Sequence, residues 1–242
     1  MPWFENWFDT EYYHLLYSHR NDDEANRFIS HLIDFLQLKA DSKVLDVACG
    51  KGRHSKYLAQ CGMDVTGIDL SENSIHFARQ FANEKLRFVR HDMREVFAEK
   101  EFDVVLNLFS SFGYFDDAAD DAKAINAMTS GLKKRGHLVL DYMNPEYIIR
   151  NLKAREIIDR GEIQFHIQKK VENGFIVKQI DFLHNGEDYS YFERLKLIKP
   201  DDFKRMFSAA QLKTVNVFGD YALNEFSFAN SPRQIWILKK EE

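Results

Sequence analysis

Residues 44 to 54, Val-Leu-Asp-Val-Ala-Cys-Gly-Lys-Gly-Arg-His, constrain the chain most. A short apolar run ends in a loop with two glycines, Gly50 and Gly52. A second apolar run, Val65-Thr66-Gly67-Ile68, then ends in Asp69. Strand, glycine loop, helix, strand and acid is the layout of a nucleoside-binding α/β unit. Glycine lacks a Cβ and tolerates positive φ, so the loop backbone can approach a ligand closely. An acid at the end of the next strand accepts hydrogen bonds from ribose hydroxyls.

The surrounding chain repeats this alternation. Lys43 to Val47 reads as strand one and Arg53 to Gln60 as its helix. Asp64 to Ile68 is strand two, followed by a helix over Glu72 to Ala82 that Ser71 caps. Leu86 to Arg90 is strand three. Phe102 to Leu106 is strand four, with a helix over Ala118 to Leu132, and His137 to Leu140 is strand five. Strands one, two and four are nearly continuous apolar runs, as parallel strands covered on both faces require. After Tyr147 the period changes to two. Three alternating runs, around Ile163-Ile167, Ile176-Phe182 and Tyr189-Leu197, are separated by Asn173-Gly174 and Asn185-Gly186. Asn-Gly between alternating runs signals a hairpin, so an antiparallel meander is expected over about 155 to 199. A helix around Phe203 to Ala210 and strands over Thr214 to Phe218 and Gln234 to Leu238 close the chain. The expected fold is α/β, doubly wound, with a seven-stranded, mostly parallel sheet and an antiparallel insertion after strand five.

No internal repeat or flexible linker divides the 242 residues, so one domain is expected over 1 to 242. Residues 1 to 38 form its helical N-terminal part. Trp3, Phe4, Trp7, Phe8, Tyr12, Tyr13 and Tyr17 make this part aromatic-rich, which suits a lid over a ligand. Asn21 with Glu24 has the form of a capping box ahead of Ala25, Phe28, Ile29, Leu32, Ile33 and Leu36, an amphipathic helical stripe. A net charge of −5 provides no general attraction to nucleic acid or anionic membrane. Neither a signal peptide nor a run of ~20 apolar residues is evident, so a cytoplasmic location is expected. The two cysteines, Cys49 and Cys61, imply no disulfide framework. The nine histidines show no zinc-like pairing, so no metal is expected.

Two features argue against a dinucleotide oxidoreductase. The third glycine of G-x-G-x-x-G is replaced by Ser55, and Asp46 places an acid within strand one. A carboxylate there repels pyrophosphate and suits a cationic ligand. S-adenosylmethionine has ribose and adenine, no phosphate, a sulfonium and an amino group.

At these residues the chain resembles the class I S-adenosylmethionine-dependent methyltransferases over roughly 40 to 145. Asp46 to Gly52 is similar to that family's first motif, with Ala48 where a glycine is common. The resemblance implies that Asp69 binds ribose, that Leu70 and Met93 pack on adenine, and that Asp92 binds the adenine amino group. It places the end of strand four, at Leu108, beside the transferred methyl. Leu108-Phe109-Ser110-Ser111-Phe112-Gly113-Tyr114 is similar to the small-molecule subgroup containing amino-sugar N-methyltransferases and glycine N-methyltransferase-like enzymes. The Asp/Asn-Pro-Pro-Tyr motif is absent at Asn107, which disfavours DNA and protein-glutamine methylation.

The expected donor site therefore comprises Tyr13, Tyr17, Arg20, Asp46, Ala48, Gly50, Gly52, His54, Asp69, Leu70, Asp92, Met93 and Leu108. Arg20 suits the methionine carboxylate because a guanidinium fork matches it bidentately. Candidates for a general base are Tyr114, Asp141, Tyr142, Asn144 and His19. The expected reaction is methyl transfer to a small molecule, at nitrogen, yielding S-adenosylhomocysteine. O-methylation and a non-catalytic binding module are the alternatives, and the meander is a candidate homodimer surface.

Overall fold

The computed structural model describes residues 3–18 and 22–241. Helices α1 (Trp3–Phe8), α2 (Glu11–Leu16) and α3 (Asp22–Leu36) come first. Thr10 caps α2 by accepting the Tyr13 N–H. Helix α3 buries Ala25, Phe28, Ile29 and Leu32, the stripe at i, i+3 and i+4. Asn21, where its capping box was expected, lies outside the described residues. Then follow β1 (Lys43–Val47), α4 (Arg53–Gln60), β2 (Asp64–Asp69), α5 (Glu72–Ala78), β3 (Leu86–Arg90), β4 (Phe102–Asn107), α6 (Ala118–Gly131) and β5 (Leu132–Met143). Helix α5 is shorter than expected because its last turn tightens into a 3₁₀ turn over Arg79–Phe81. Strand β5 is longer than expected. Its pairing with β4 steps from Phe102 opposite Leu132 to Val104 opposite His137, so Lys133 to Gly136 bulge from the ladder. That charged bulge hides the start of the strand from a hydrophobicity reading.

A short helix, α7 (Pro145–Arg150), follows. The sequence reading did not include it, although Asn144 as cap and Pro145 in the first turn are its local signal. Strands β6 (Arg155–Arg160), β7 (Ile163–Glu172), β8 (Phe175–His184) and β9 (Glu187–Lys196) form a second, antiparallel sheet in that order. Three strands were expected there. The fourth, β6, carries charge at both ends, and only its pairing with β7 identifies it. Helix α8 (Pro200–Ala209) and strands β10 (Leu212–Phe218) and β11 (Arg233–Lys240) complete the chain.

The large sheet has the order β10-β11-β5-β4-β1-β2-β3. Strands β1 to β5 are parallel, and β11 is antiparallel to both β5 and β10. Strand order reverses at β1, so a crevice opens at the carboxyl ends of β1 and β4. One face of the sheet packs on α6 and α8 through Phe102, Val105, Ile125, Met128, Phe203 and Phe207. The other packs on α3, α4 and α5 through Phe28, Ile29, Val44, Leu58, Val65 and Ile75. A third cluster joins the N-terminal helices to the small sheet, with Trp7 and Leu16 against Ile163, Phe165, Ile167, Ile180 and Phe182. Full burial of such side chains contributes roughly 1.5–3 kcal/mol each. Among the described residues, no helix is long and apolar enough to cross a membrane.

Gly52 sets the distance between the glycine loop and β3. Its φ is 78°, and a Cβ added there would meet the Phe88 ring at 2.6 Å. Left-handed backbone costs a non-glycine residue about 1–2 kcal/mol, and overpacking adds about 1–3 kcal/mol. Gly52→Ala is therefore expected to destabilise the fold by about 2–5 kcal/mol in urea denaturation. An unchanged midpoint would contradict this packing.

Candidate functional site

Two carboxylates organise the crevice. Asp69, at the end of β2, accepts the Gly50 N–H at Oδ2 (2.8 Å) and the Ser71 N–H at Oδ1 (2.8 Å). It thereby ties the glycine loop to the start of α5. Asp46 lies in β1 beneath the loop and is 1% exposed. Its Oδ2 accepts the Ser55 hydroxyl at 2.6 Å. The serine at the missing third glycine thus holds the acid of strand one. Burial pushes the Asp46 carboxyl up to about 7, against the opposing hydrogen bond from Ser55. Burial also raises Asp69, opposed by its backbone hydrogen bonds. Ala48 adopts φ 58°, left-handed backbone at the position where it replaces a glycine.

Above this loop lies a cavity of about 130 Å³. Ala48, Gly50, Asp69 and Leu70 form its floor, and His91, Asp92 and Met93 one wall. A Cβ on Gly50 would find no atom within 4 Å, so the loop backbone faces open space. Burial opposes ionisation of Asp92, but Arg94 outweighs it and holds the carboxyl below the usual range. The guanidinium grips both Asp92 oxygens, with Nε at 3.1 Å from each.

Phe4, Phe8, Tyr13 and His14 roof this cavity from the N-terminal helices. Asp9 pins the roof to α5. Its carboxylate accepts the Ser71 hydroxyl, the Asn73 N–H (3.1 Å) and the Asn73 amide Nδ2 (2.8 Å). Burial and the neighbouring Lys51 lower His14 to about 4, with Asp9 opposing, so its imidazole is neutral at pH 7.

A second cavity, of about 700 Å³, shares Phe8, Tyr13, Ser111 and Tyr114 with the first. Its other walls include Tyr17, Phe109, Glu193, Tyr221 and Arg233. Glu193 accepts the Trp7 indole N–H (2.8 Å) and the Tyr17 hydroxyl (2.8 Å), with Lys178 Nζ at 3.6 Å. This cluster joins the N-terminal helices to β9 at the cavity wall.

The residues singled out in the sequence divide accordingly. Tyr13, Ala48, Gly50, Asp69, Leu70, Asp92 and Met93 line the first cavity, Tyr17 the second, and Tyr13 and Tyr114 both. Asp46, Gly52, His54 and Leu108 stand behind the walls. His54 is buried and stacks on Phe109 at 5.0 Å. Burial, with the adjacent Arg53 cation, lowers its pKa to about 3. Leu108 is 3% exposed within the core. His19 and Arg20 lie outside the described residues.

Three of the base candidates turn away from solvent. Tyr142 is fully buried and donates its hydroxyl to Lys196 O at 2.7 Å. Asn144 is buried, and its amide donates to Phe228 O and Ser231 O at 2.8 Å. Asp141 is buried too. Its Oδ1 accepts Arg233 Nε at 2.8 Å, and its Oδ2 accepts the Phe109 N–H at 2.8 Å. Strand β5 runs deeper than a solvated rim because it is an interior strand of the sheet, paired with β4 on one side and β11 on the other. Asp9, His14, Glu193 and Arg233 escaped sequence reasoning. Each acts across a long chain separation, and none sits in a local motif.

Comparison with known proteins agrees with this layout. Residues 44–136 match the family described as a methyltransferase domain. The chain is 27% identical to the Bacillus subtilis protein YqeM, named as a methyltransferase, over 95% of each. It is 29% identical to a glycine/sarcosine N-methyltransferase of Parasynechococcus marenigrum, over 82% of this chain and 71% of that one. The crystal structure of an S-adenosylmethionine-dependent methyltransferase from Clostridium acetobutylicum superposes with a TM-score of 0.81 at 19% identity, over 96% of both chains, which is a likeness of fold.

The buried Asp46 makes stability depend on pH. The folded state holds its proton up to about pH 7, whereas the ordinary carboxyl value is 3.8. Between these values the native chain binds more protons, so stability falls as pH rises, by up to about 1.4 kcal/mol per pH unit. Asp46→Asn is expected to flatten that decline in denaturation curves taken between pH 4.5 and 7.5. Parallel declines in the variant and the wild type would remove Asp46 as its source.

Proposed function

We propose that this chain, a member of the class I S-adenosylmethionine-dependent methyltransferases, transfers a methyl group to nitrogen on a small molecule. The observation carrying this reading is the pair of adjoining cavities, one over the glycine loop and one beside it, with Ser111 and Tyr114 in their common wall. The N-methyltransferase among its relatives supports nitrogen as the target.

The residues present fit the donor. A carboxylate offers about four lone-pair sites. Asp69 uses one on each oxygen for the loop and α5, which leaves sites on the cavity side for two ribose hydroxyls. Leu70 and Met93 supply apolar walls for adenine. Asp92 stands at the same wall, although Arg94 already grips its carboxylate, so its remaining lone pairs serve an amino group there. Gly50 admits a ligand against the loop backbone.

Bound there, S-adenosylmethionine supplies an electrophilic methyl on a sulfonium, which is itself a good leaving group. The chain's task is alignment and exclusion of water. Phe4, Phe8, Tyr13 and Phe115 enclose the first cavity with apolar surface. Tyr114, in both cavities, is placed to orient the acceptor. Orientation of this kind supplies up to about 7–11 kcal/mol of barrier reduction.

Calorimetry tests the donor site: S-adenosylmethionine is expected to bind, and an absence of heat at millimolar donor would overturn the reading. A hydrogen bond to a charged group is worth about 1.5–3 kcal/mol, so Asp69→Ala is expected to weaken binding ~10-fold or more. An unchanged dissociation constant would take Asp69 out of the site. Asp9→Ala releases the roof from α5 and is expected to speed dissociation of S-adenosylhomocysteine ~10-fold in stopped flow. A panel of amines and hydroxyl compounds, read by S-adenosylhomocysteine formation, tests the acceptor atom. Turnover confined to hydroxyl acceptors would replace nitrogen with oxygen.

A further inference from the structure

Two guanidinium groups line the second cavity with donors that no described residue uses. Arg233, the first residue of β11, has a side chain only 18% exposed. Its Nε donates to Asp141 Oδ1 at 2.8 Å. Its Nη2 lies 2.7 Å from the same oxygen and donates to Ser110 Oγ at 3.0 Å. A guanidinium carries five N–H donors in a planar fork. Among the described residues none accepts from Nη1, and the side chain lines the cavity. Asp141 has little more to offer, because Oδ2 accepts the Phe109 N–H at 2.8 Å and the Tyr221 hydroxyl at 3.3 Å.

Tyr221 brings the second arginine to the same wall. Its ring lies under the Arg233 guanidinium at 5.5 Å and packs on Phe28 of α3 at 4.6 Å. His31 Nδ1 sits 2.8 Å from Tyr221 O. Arg27 precedes Phe28 and lies one helical turn before His31, so this docking places it on the cavity wall. Arg27 is exposed, and among the described residues no acid pairs with it. The acids on the wall are Glu24 and Glu193, and Glu193 is held by Trp7, Tyr17 and Lys178.

On the reading that the acceptor occupies this cavity, we infer that it carries an oxyanion, a carboxylate or a phosphate, bound by Arg233 and Arg27. Guanidinium forks match both groups bidentately. Docking the anion at the arginines turns the remainder of the acceptor toward the shared wall of Ser111 and Tyr114, where the methyl is delivered. The two arginines then select acceptors by the group that does not react.

Arginine side-chain NMR on the full chain tests this, with acetate and inorganic phosphate as probes and acetamide as the neutral control. The Arg27 and Arg233 signals are expected to shift and saturate with acetate or phosphate and to stay still with acetamide. The probe that saturates at lower concentration separates carboxylate from phosphate. Arg27→Gln is expected to weaken anion binding ~5- to 10-fold, and Arg233→Lys, which keeps a cation beside Asp141, by a similar factor. Shifts that fail to saturate, or that appear equally at other surface arginines, would overturn the inference. So would unchanged affinity in Arg27→Gln, a variant on an exposed helix face that tests the point even if Arg233→Lys fails to fold. The Gly50 amide signal reports S-adenosylhomocysteine in the same samples. Cofactor binding without anion binding overturns the oxyanion alone, and anion binding without cofactor binding overturns the methyltransferase reading alone.

Discussion

The Asp69 carboxylate, with one oxygen on the glycine loop and the other on the start of α5, is the interaction around which the crevice is built. It joins the first two strand-helix units at the point where the sheet changes direction. Without that clasp the loop would have to hold three alternate positive-φ positions, Ala48, Gly50 and Gly52, on its own. Non-glycine residues resist such backbone, and Ala48 adopts it within a frame set by its neighbours. The same carboxylate that shapes the loop also lines the first cavity.

Asp46 and Ser55 add a second constraint. A buried carboxylate is costly unless it is hydrogen-bonded, and the hydroxyl of Ser55 supplies the bond. Two departures from the dinucleotide fingerprint, an acid in the strand and a serine for the third glycine, therefore form one unit. Each makes sense only with the other. Together they place beneath the loop a hydrogen-bonded carboxyl that burial keeps protonated up to about pH 7.

The N-terminal helices connect this site to the rest of the chain. Asp9 fastens them to α5, while Trp7 and Tyr17 fasten them to Glu193 on β9. Phe8 and Tyr13 consequently face both cavities. One roof over both cavities means that anything loosening it affects both. The small sheet serves as the second anchor of that roof and, through Glu193 and Leu195, as a wall of the second cavity.

The sequence by itself determined the parallel core, the glycine loop and the acids at the ends of the strands. These are local properties: apolar period, turn chemistry and residue type within a few positions of one another. It also carried both Asn-Gly hairpins. It did not reveal β6 or the start of β5, where charge masks the period and only pairing with a neighbouring strand defines the element. Nor did it separate the residues on the cavity surface from those behind it. Asp46, His54 and Leu108 sit at or beside motif positions and Tyr142 near the end of strand five, yet which way each side chain turns depends on packing by distant elements. The wall of the second cavity shows the limit most clearly. Arg27, Tyr17, Glu193 and Arg233 come from both ends of the chain and from the inserted sheet, and only the closing of β11 on β5 and of the N-terminal helices on β9 brings them together.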